Sequence, residues 1–413
     1  MTGARSARNG ELRRLSVLIA TCFVDMIGFA IVFPLIPFYA LRLDASAVDV
    51  GIITAAFSAA QILAAPLWGR VSDRYGRRPA LLIGLLASAA AYVVFGVADA
   101  LWLLFASRLI QGAGGGTTGV AQAYIADTIE PSQRARALGW LSAATSAGVM
   151  LGPAIGSAAA HVGPEAPGFV AAALCLLNAA FAWRWLPESR LKDGSGAHAA
   201  VRPPIWHTAW QVVRHPARPV SRLVWIYGVG MLAFSALTGV MALYLGAEFG
   251  ITERTSGYVF LYHGGLSVVM RSLLLGPIVD RIGERWAMRA GTFAMIAGLI
   301  LFPEPRSIWT LALVMPLMPI GTALLFPSTT ALVSHSAARS EYGMTMGVMQ
   351  FFGGVARVIA PIIATGAFQH LGHGAPFYLA AGFVGLVSLL AFRVEAPSHT
   401  VETVPASVPE SPS

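Results

Sequence analysis

The 413 residues are 56% hydrophobic and only 12% charged, with a mean hydropathy of +0.67. A water-soluble chain carries about twice that share of charge, so the composition excludes a soluble enzyme and indicates a protein that lives in a bilayer. The net charge of +8 would by itself suggest a nucleic-acid partner, but its placement along the chain argues against one.

In chain order, twelve stretches are apolar enough to cross a membrane as helices, which takes about 20 residues each. They are 16–41, 48–68, 79–98, 101–125, 137–160, 168–186, 223–247, 255–276, 286–303, 307–334, 343–369 and 374–393. Several contain Gly or Pro, which a helical bundle tolerates when neighbouring helices satisfy the freed backbone. With a cytoplasmic N-terminus, the inner side receives Arg5, Arg8, Arg13 and Arg14, then Arg70, Arg74, Arg77 and Arg78, Arg134 and Arg136, the cluster from Arg184 to Arg222, and Arg281, Arg285, Arg289, Arg339 and Arg393. Only Arg42, Arg254 and Arg306 fall outside. That bias fixes both termini in the cytoplasm, and the basic charge reads as topology. No cleavable signal peptide is expected ahead of the first span. Cys22 and Cys175 fall within spans and predict neither a disulfide framework nor a metal site.

The expected organisation is an N-terminal six-helix bundle over 1–186, a cytoplasmic linker over 187–221, a second six-helix bundle over 222–394 and a disordered tail over 395–413. Gly194, Ser195, Gly196 and Pro203-Pro204 mark the linker. Trp206, Trp210 and Val213 recur at helical spacing within it and predict a short helix lying on the membrane surface. Gly69-Arg-Val-Ser-Asp-Arg-Tyr-Gly-Arg-Arg78 recurs 207 residues later as Gly276-Pro-Ile-Val-Asp-Arg-Ile-Gly-Glu-Arg285, and Pro153 of span five has a counterpart in Pro361 of span eleven. Two matches at nearly one offset imply internal duplication. Parallel repeats about an axis along the membrane normal describe one large class of transporters.

Few ionisable residues lie deep in the spans: Asp25 is the one deep acid, with Arg108, Arg271, Arg357 and the titratable His263. Charges at such depth usually face a cavity or a partner and mark a pathway. Burial favours the neutral form of a carboxyl group and a nearby guanidinium favours the ionised form, so Asp25 with Arg108 as its partner is a candidate proton carrier; a permanent structural ion pair is the alternative. Arg271 and Arg357 suit an anionic or carboxylate-bearing substrate, with snorkelling or pairing to Asp25 as alternatives. Gln61 and Gln111 are polar-contact candidates or interhelical glue, and His263 is a second proton carrier or a packing residue. Phe29, Phe33 and Phe234 are candidates for an apolar pocket, with lipid-facing or core packing as the simpler reading.

The stretch from Gly69 to Pro79 closely resembles the loop signature between spans two and three of the major facilitator superfamily. The resemblance implies a cytoplasmic gate built on Gly69, Asp73, Arg74, Gly76, Arg77 and Arg78, echoed by Asp280 and Arg281. Asp73 is expected to pair with arginines or to accept from helix N-terminal amides. Arg108-Leu-Ile-Gln-Gly-Ala-Gly-Gly-Gly116 resembles the superfamily's span-four motif. Gly148-Val-Met-Leu-Gly-Pro-Ala-Ile-Gly156 resembles the span-five signature of its proton-driven drug antiporters, where Gly148, Gly152, Pro153 and Gly156 imply close helix contact and export. Asp25-Met-Ile-Gly28, Pro34, Pro37, Gln61, Ile125-Ala-Asp-Thr128 and Leu138-Gly-Trp140 make the first half similar to tetracycline-efflux pumps. Ala91-Tyr92, Ser267 and Met295 depart from those pumps, so tetracycline is not the expected substrate.

The fold expected is therefore an all-α membrane protein of twelve transmembrane helices in two six-helix bundles. Its expected activity is proton-coupled export of small amphiphilic compounds, with carriage of a specific organic anion or metabolite as the alternative and a non-transporting sensor less favoured. A phosphate loop is absent from the sequence; no cofactor beyond a proton gradient is expected, and no metal. Protons, a small-molecule substrate and the lipid bilayer are the expected partners, with the chain a monomer. The Arg and Ala bias hints at a GC-rich bacterial genome, and hence at an inner (plasma) membrane location.

Overall fold

Proline, glycine and capping side chains set where the helices begin, break and end. The computed structural model describes residues 2–189, 205–336 and 342–392. The linker glycines and prolines from Gly194 to Pro204, Arg339 and the tail over 395–413 lie outside the described residues.

The first helix, α1 (Thr2–Val32), passes through a tight turn at Phe33–Leu35 into α2 (Ile36–Arg42). Pro34 and Pro37 remove backbone donors there and tighten the winding. α3 (Ala47–Tyr75) starts at a capping box in which the Ser46 hydroxyl accepts from Asp49 N at 3.2 Å and Ser46 N donates to Asp49 at 2.9 Å. It ends at Gly76, whose φ of +107° turns the chain directly into α4 (Arg77–Gly96). α5 (Leu101–Gly114) and α6 (Thr117–Thr128) follow, then α7 (Pro131–Ala160) and α8 (Ala166–Trp185).

The second part begins with the short α9 (Ile205–Arg214), which buries Ala209 and Val212 and exposes Trp206, Trp210 and Val213. Then come α10 (Pro219–Phe249), α11 (Ser256–Val269), a wider π-turn over Met270–Leu274, α12 (Leu275–Leu301), α13 (Ile308–Val314), α14 (Leu317–Ser336), α15 (Tyr342–Leu371) and α16 (Ala375–Phe392). No strand occurs among the described residues.

Where the sequence predicts twelve spans, nine helical runs among the described residues are long and apolar enough to cross a membrane. The difference lies at three places. The expected span 101–125 is broken at Gly115-Gly116, because the glycine run has little helical preference of its own. The freed carbonyl of Ala113 is satisfied by the indole N–H of Trp68 at 2.5 Å. The expected spans 255–276 and 286–303 join into one run, Ser256–Leu301, which bends at Gly283 with φ of +77°. The final apolar helix, Ala375–Leu389, is short.

The helices sort into two packed groups. In the first, α1 lies against α7 and α8, α4 against α5 and α8, and α3 against α5. In the second, α10 lies against α15 and α16, and α12 against α14 and α16. The groups meet along two seams, α3 on α15 and α7 on α11. The space between those seams holds the central cavity.

Candidate functional site

A cavity of about 280 Å³ lies between the two groups. Its wall is largely apolar and carries five aromatic rings: Phe29 from α1, Phe33 from the turn after it, Phe57 from α3, Phe234 from α10 and Phe260 from α11. Phe29 stacks on Phe33 with centroids 5.5 Å apart and meets Phe57 at 5.3 Å, which makes one continuous apolar face. Pro153 and Pro361, the pair related by the internal repeat, both line it, one from each group. The ionisable lining residues are Arg108, His263 and Arg357; no Asp or Glu is among them.

Arg108 is 1% exposed. Its guanidinium carbon lies 5.8 Å from the centre of the Phe95 ring, and neither Nε nor either terminal nitrogen has a hydrogen-bond partner among the described residues. The buried Nδ1 of His263 is likewise without a partner. Arg357 forms no ion pair among the described residues.

Asp25 is buried in α1 but does not line the cavity. The expected pairing with Arg108 is not formed. Instead the Thr117 hydroxyl, at the start of α6, donates to Asp25 Oδ2 at 2.9 Å. The break between α5 and α6 makes this possible: it ends the Arg108 segment and starts a second helix with Thr117 facing α1. Beside it, Asn178 of α8 donates to the Thr21 carbonyl at 2.9 Å.

Three candidate substrate contacts fall outside the cavity. Gln111 donates to the Tyr92 hydroxyl at 2.6 Å, so it faces α4 while Arg108, three residues earlier, faces the cavity. Gln61 points at the Gly115 carbonyl at 3.4 Å, where the broken helix leaves an acceptor free. Arg271 sits in the π-turn, exposed; a π-turn adds a residue per turn and rotates the following face. His263 and Arg357 do line the cavity. Thr117 carries no signal in the sequence beyond the Gly-rich run before it, and Tyr92 stands out only beside Ala91 in the resemblance to tetracycline pumps.

The loop signature forms a charge cluster. Arg77 bridges Asp73 at 2.7 Å and Asp127 at 2.8 Å, and donates to the Ser72 hydroxyl at 2.7 Å. The amides at the start of α4 are taken by Glu188, not by Asp73: Arg77 N and Arg78 N donate to its two oxygens at 2.8 and 3.1 Å. A carboxylate there complements the positive end of the helix. Arg78 donates to the Trp183 carbonyl, and Arg74 lies over the Tyr75 ring at 5.4 Å. Gly69 is in open space in α3. In the second copy, Gly283 repeats the positive φ of Gly76, but Asp280 and Arg281 are exposed and form no ion pair among the described residues. The duplication preserves the backbone turn and not the charge cluster.

The span-five glycines pack α7 onto α1. A Cβ at Gly148 would stand 2.5 Å from the Phe23 carbonyl oxygen, at Gly152 2.5 Å from Ala30 Cβ, and at Gly156 2.5 Å from the Ile31 carbonyl oxygen. Real Cβ atoms do not approach that closely, so only glycine lets the helices meet.

Hydrogen bonds and an ion pair join the two groups at the Arg42 end. Arg42 pairs with Glu253, the Ser157 hydroxyl donates to the Glu253 carbonyl at 2.6 Å and accepts from Gly257 N at 2.7 Å, and Val48 N donates to Gln369 at 3.1 Å.

A sequence profile of the Major Facilitator Superfamily matches residues 18–273 and 223–411. The chain is 26% identical over 358 residues to the class B tetracycline resistance protein of Escherichia coli, covering 86% of this chain and 88% of that one. It is 28% identical over 396 residues to multidrug resistance protein 1 of Bacillus subtilis (strain 168), covering 93% and 97%. The solved structure of the human organic anion transporter MFSD10 (TETRAN) superimposes with a TM-score of 0.69 at 22% identity, over 92% of this chain and 99% of that one.

Proposed function

The chain belongs to the Major Facilitator Superfamily and is a membrane transporter, and from that premise we propose that it exports small amphiphilic compounds from the cell in exchange for protons. Twelve spans in two six-helix bundles, with both termini and the loop signature in the cytoplasm, fit the arginine distribution. The broken, joined and short helices together supply the three spans beyond the nine. In that orientation the Arg42–Glu253 end faces outward, and its contacts between the groups suit an inward-open state of an alternating-access cycle. The setting is the inner membrane of a bacterium.

One observation carries the reading. α1 holds the membrane-buried Asp25 one helical turn from Phe29, which forms part of the cavity wall. A change in the protonation of Asp25 alters its contact with Thr117 and, through the same helix, the wall that a substrate touches and the glycine contact with α7. An intramembrane carboxylate is costly unless it serves such a purpose. The similarity to resistance pumps supports export over uptake. No enzymatic step is involved.

The test is transport by purified protein in proteoliposomes under an imposed pH gradient, with a panel of aromatic anions, cations and neutral compounds. Wild type accumulates at least one class against its gradient, and Asp25→Asn, folded by size-exclusion chromatography, does not. Gradient-driven accumulation at the wild-type rate in Asp25→Asn refutes the assignment of Asp25.

A further inference from the structure

We propose that the cavity selects an aromatic amphiphile bearing one anionic head group, a carboxylate or sulfonate, with the head held by Arg108 and Arg357. The inference rests on the transport reading and narrows its substrate to a charge class.

The argument starts from what Arg108 lacks. Arg108 is 1% exposed, and none of its three nitrogens finds a hydrogen-bond partner among the described residues. A guanidinium presents five N–H donors in a fixed plane and does not deprotonate. Leaving it buried and unpaired is costly, and the carboxylate nearest in expectation, Asp25, is held by Thr117 instead. The charge therefore faces a cavity that contains a second guanidinium, Arg357, and the partnerless Nδ1 of His263, with no acid in the wall. Every uncompensated charge the cavity presents is positive.

The rest of the wall settles the body of the ligand. Phe29, Phe33 and Phe57 form a continuous face with centroids 5.3–5.5 Å apart, which suits a flat aromatic body by offset or edge contact. A planar carboxylate or a sulfonate matches the fork of Arg108. A cationic amphiphile would meet two guanidiniums without a counter-charge, a repulsion that the low dielectric of the site strengthens.

The test is equilibrium binding to the full-length protein in nanodiscs with three probes of one skeleton: 2-naphthoate, methyl 2-naphthoate and 2-naphthylmethylammonium. Wild type is expected to prefer 2-naphthoate by about tenfold or more over either of the others, the value of one charge-assisted contact. Arg357→Gln and Arg108→Gln are expected to abolish that preference. Should Arg108→Gln fail to fold, Arg108→Lys serves, since it keeps the charge and loses the fork and is expected to weaken the preference without reversing it. Equal or tighter binding of the ammonium probe, no measurable binding of any probe, or an unchanged preference in Arg357→Gln overturns the proposal. Failure of the two readings is distinguishable: preference for 2-naphthoate with no pH-driven transport of it refutes proton-coupled export alone, and pH-driven transport restricted to the ammonium probe refutes the charge class alone.

Discussion

Thr117 and Asp25 form the single polar contact on which the proton assignment turns. The hydroxyl is the carboxylate's described side-chain partner, and a charged hydrogen bond of this kind is worth about 1.5–3 kcal/mol. Thr117→Val is therefore expected to slow pH-driven transport by about tenfold or more, while Thr117→Ser, which keeps the hydroxyl, restores most of it. Initial rates in proteoliposomes measure both, and equal rates in the Val and Ser variants would contradict the role. Sequence pattern reaches this site only halfway. That Asp25 and Arg108 are buried, and that His263 and Arg357 line a cavity, is legible from charges lying mid-span. That Arg108 does not pair with Asp25 is not, because the glycine break at Gly115-Gly116 places Thr117, not an arginine, against the carboxylate. Gln111 and Gln61 take the interhelical one of their two readings, donating to the Tyr92 hydroxyl and towards the Gly115 carbonyl.

At the scale of helices, two kinds of glycine make opposite predictions. Gly152 in α7 is pressed against Ala30 and the Ile27 carbonyl of α1, so Gly152→Val forces the helices apart at about 1–3 kcal/mol. Gly139 on the same helix has nothing within reach, and Gly139→Ala is expected to be neutral or slightly stabilising, by about 0.5–1 kcal/mol. Thermal unfolding followed by size-exclusion chromatography separates the two. The repeated turn offers a second comparison. Gly76 and Gly283 share a positive φ, where an alanine costs about 1–3 kcal/mol of strain. At Gly76 the new Cβ also collides with Glu188, which caps α4, whereas the space at Gly283 is open. Gly76→Ala is expected to lower the melting temperature further than Gly283→Ala; equal shifts would mean that Glu188 contributes nothing to the turn. The sequence repeat makes the turn itself visible in both halves. The charge cluster is not visible from the repeat alone, since Asp127 and Glu188 reach Arg77 and its amide from other helices.

At the scale of the whole molecule, the two helix groups are held together at one end by close packing more than by charge. The Arg42–Glu253 pair is partly exposed and is worth about 0–1 kcal/mol, so Glu253→Gln is expected to change transport little. Gly257 stands against Pro153 and Ser157, where a Cβ would be 2.5 Å from the Pro153 carbonyl oxygen. Gly257→Leu is expected to hold that end open, so that Phe33→Cys reacts with a membrane-impermeant thiol reagent added on the Arg42 side. Protection equal to that of the parent protein would contradict the closure. The internal duplication alone leads to the expectation of two helix groups, and the helices do sort into two. Which end is closed is a property of long-range packing, and no local pattern encodes it.

The central claim is that movement of substrate and of protons is one process passing through Asp25. It is tested most directly by adding an aromatic amphiphile such as 2-naphthoate to de-energised proteoliposomes loaded with a pH-sensitive dye, with the protein oriented so that its cytoplasmic face is outside. The account predicts that wild type alkalinises the lumen as substrate enters and that Asp25→Asn gives no proton signal. Substrate entry through wild type without lumenal alkalinisation, or alkalinisation of equal size in Asp25→Asn, would contradict it.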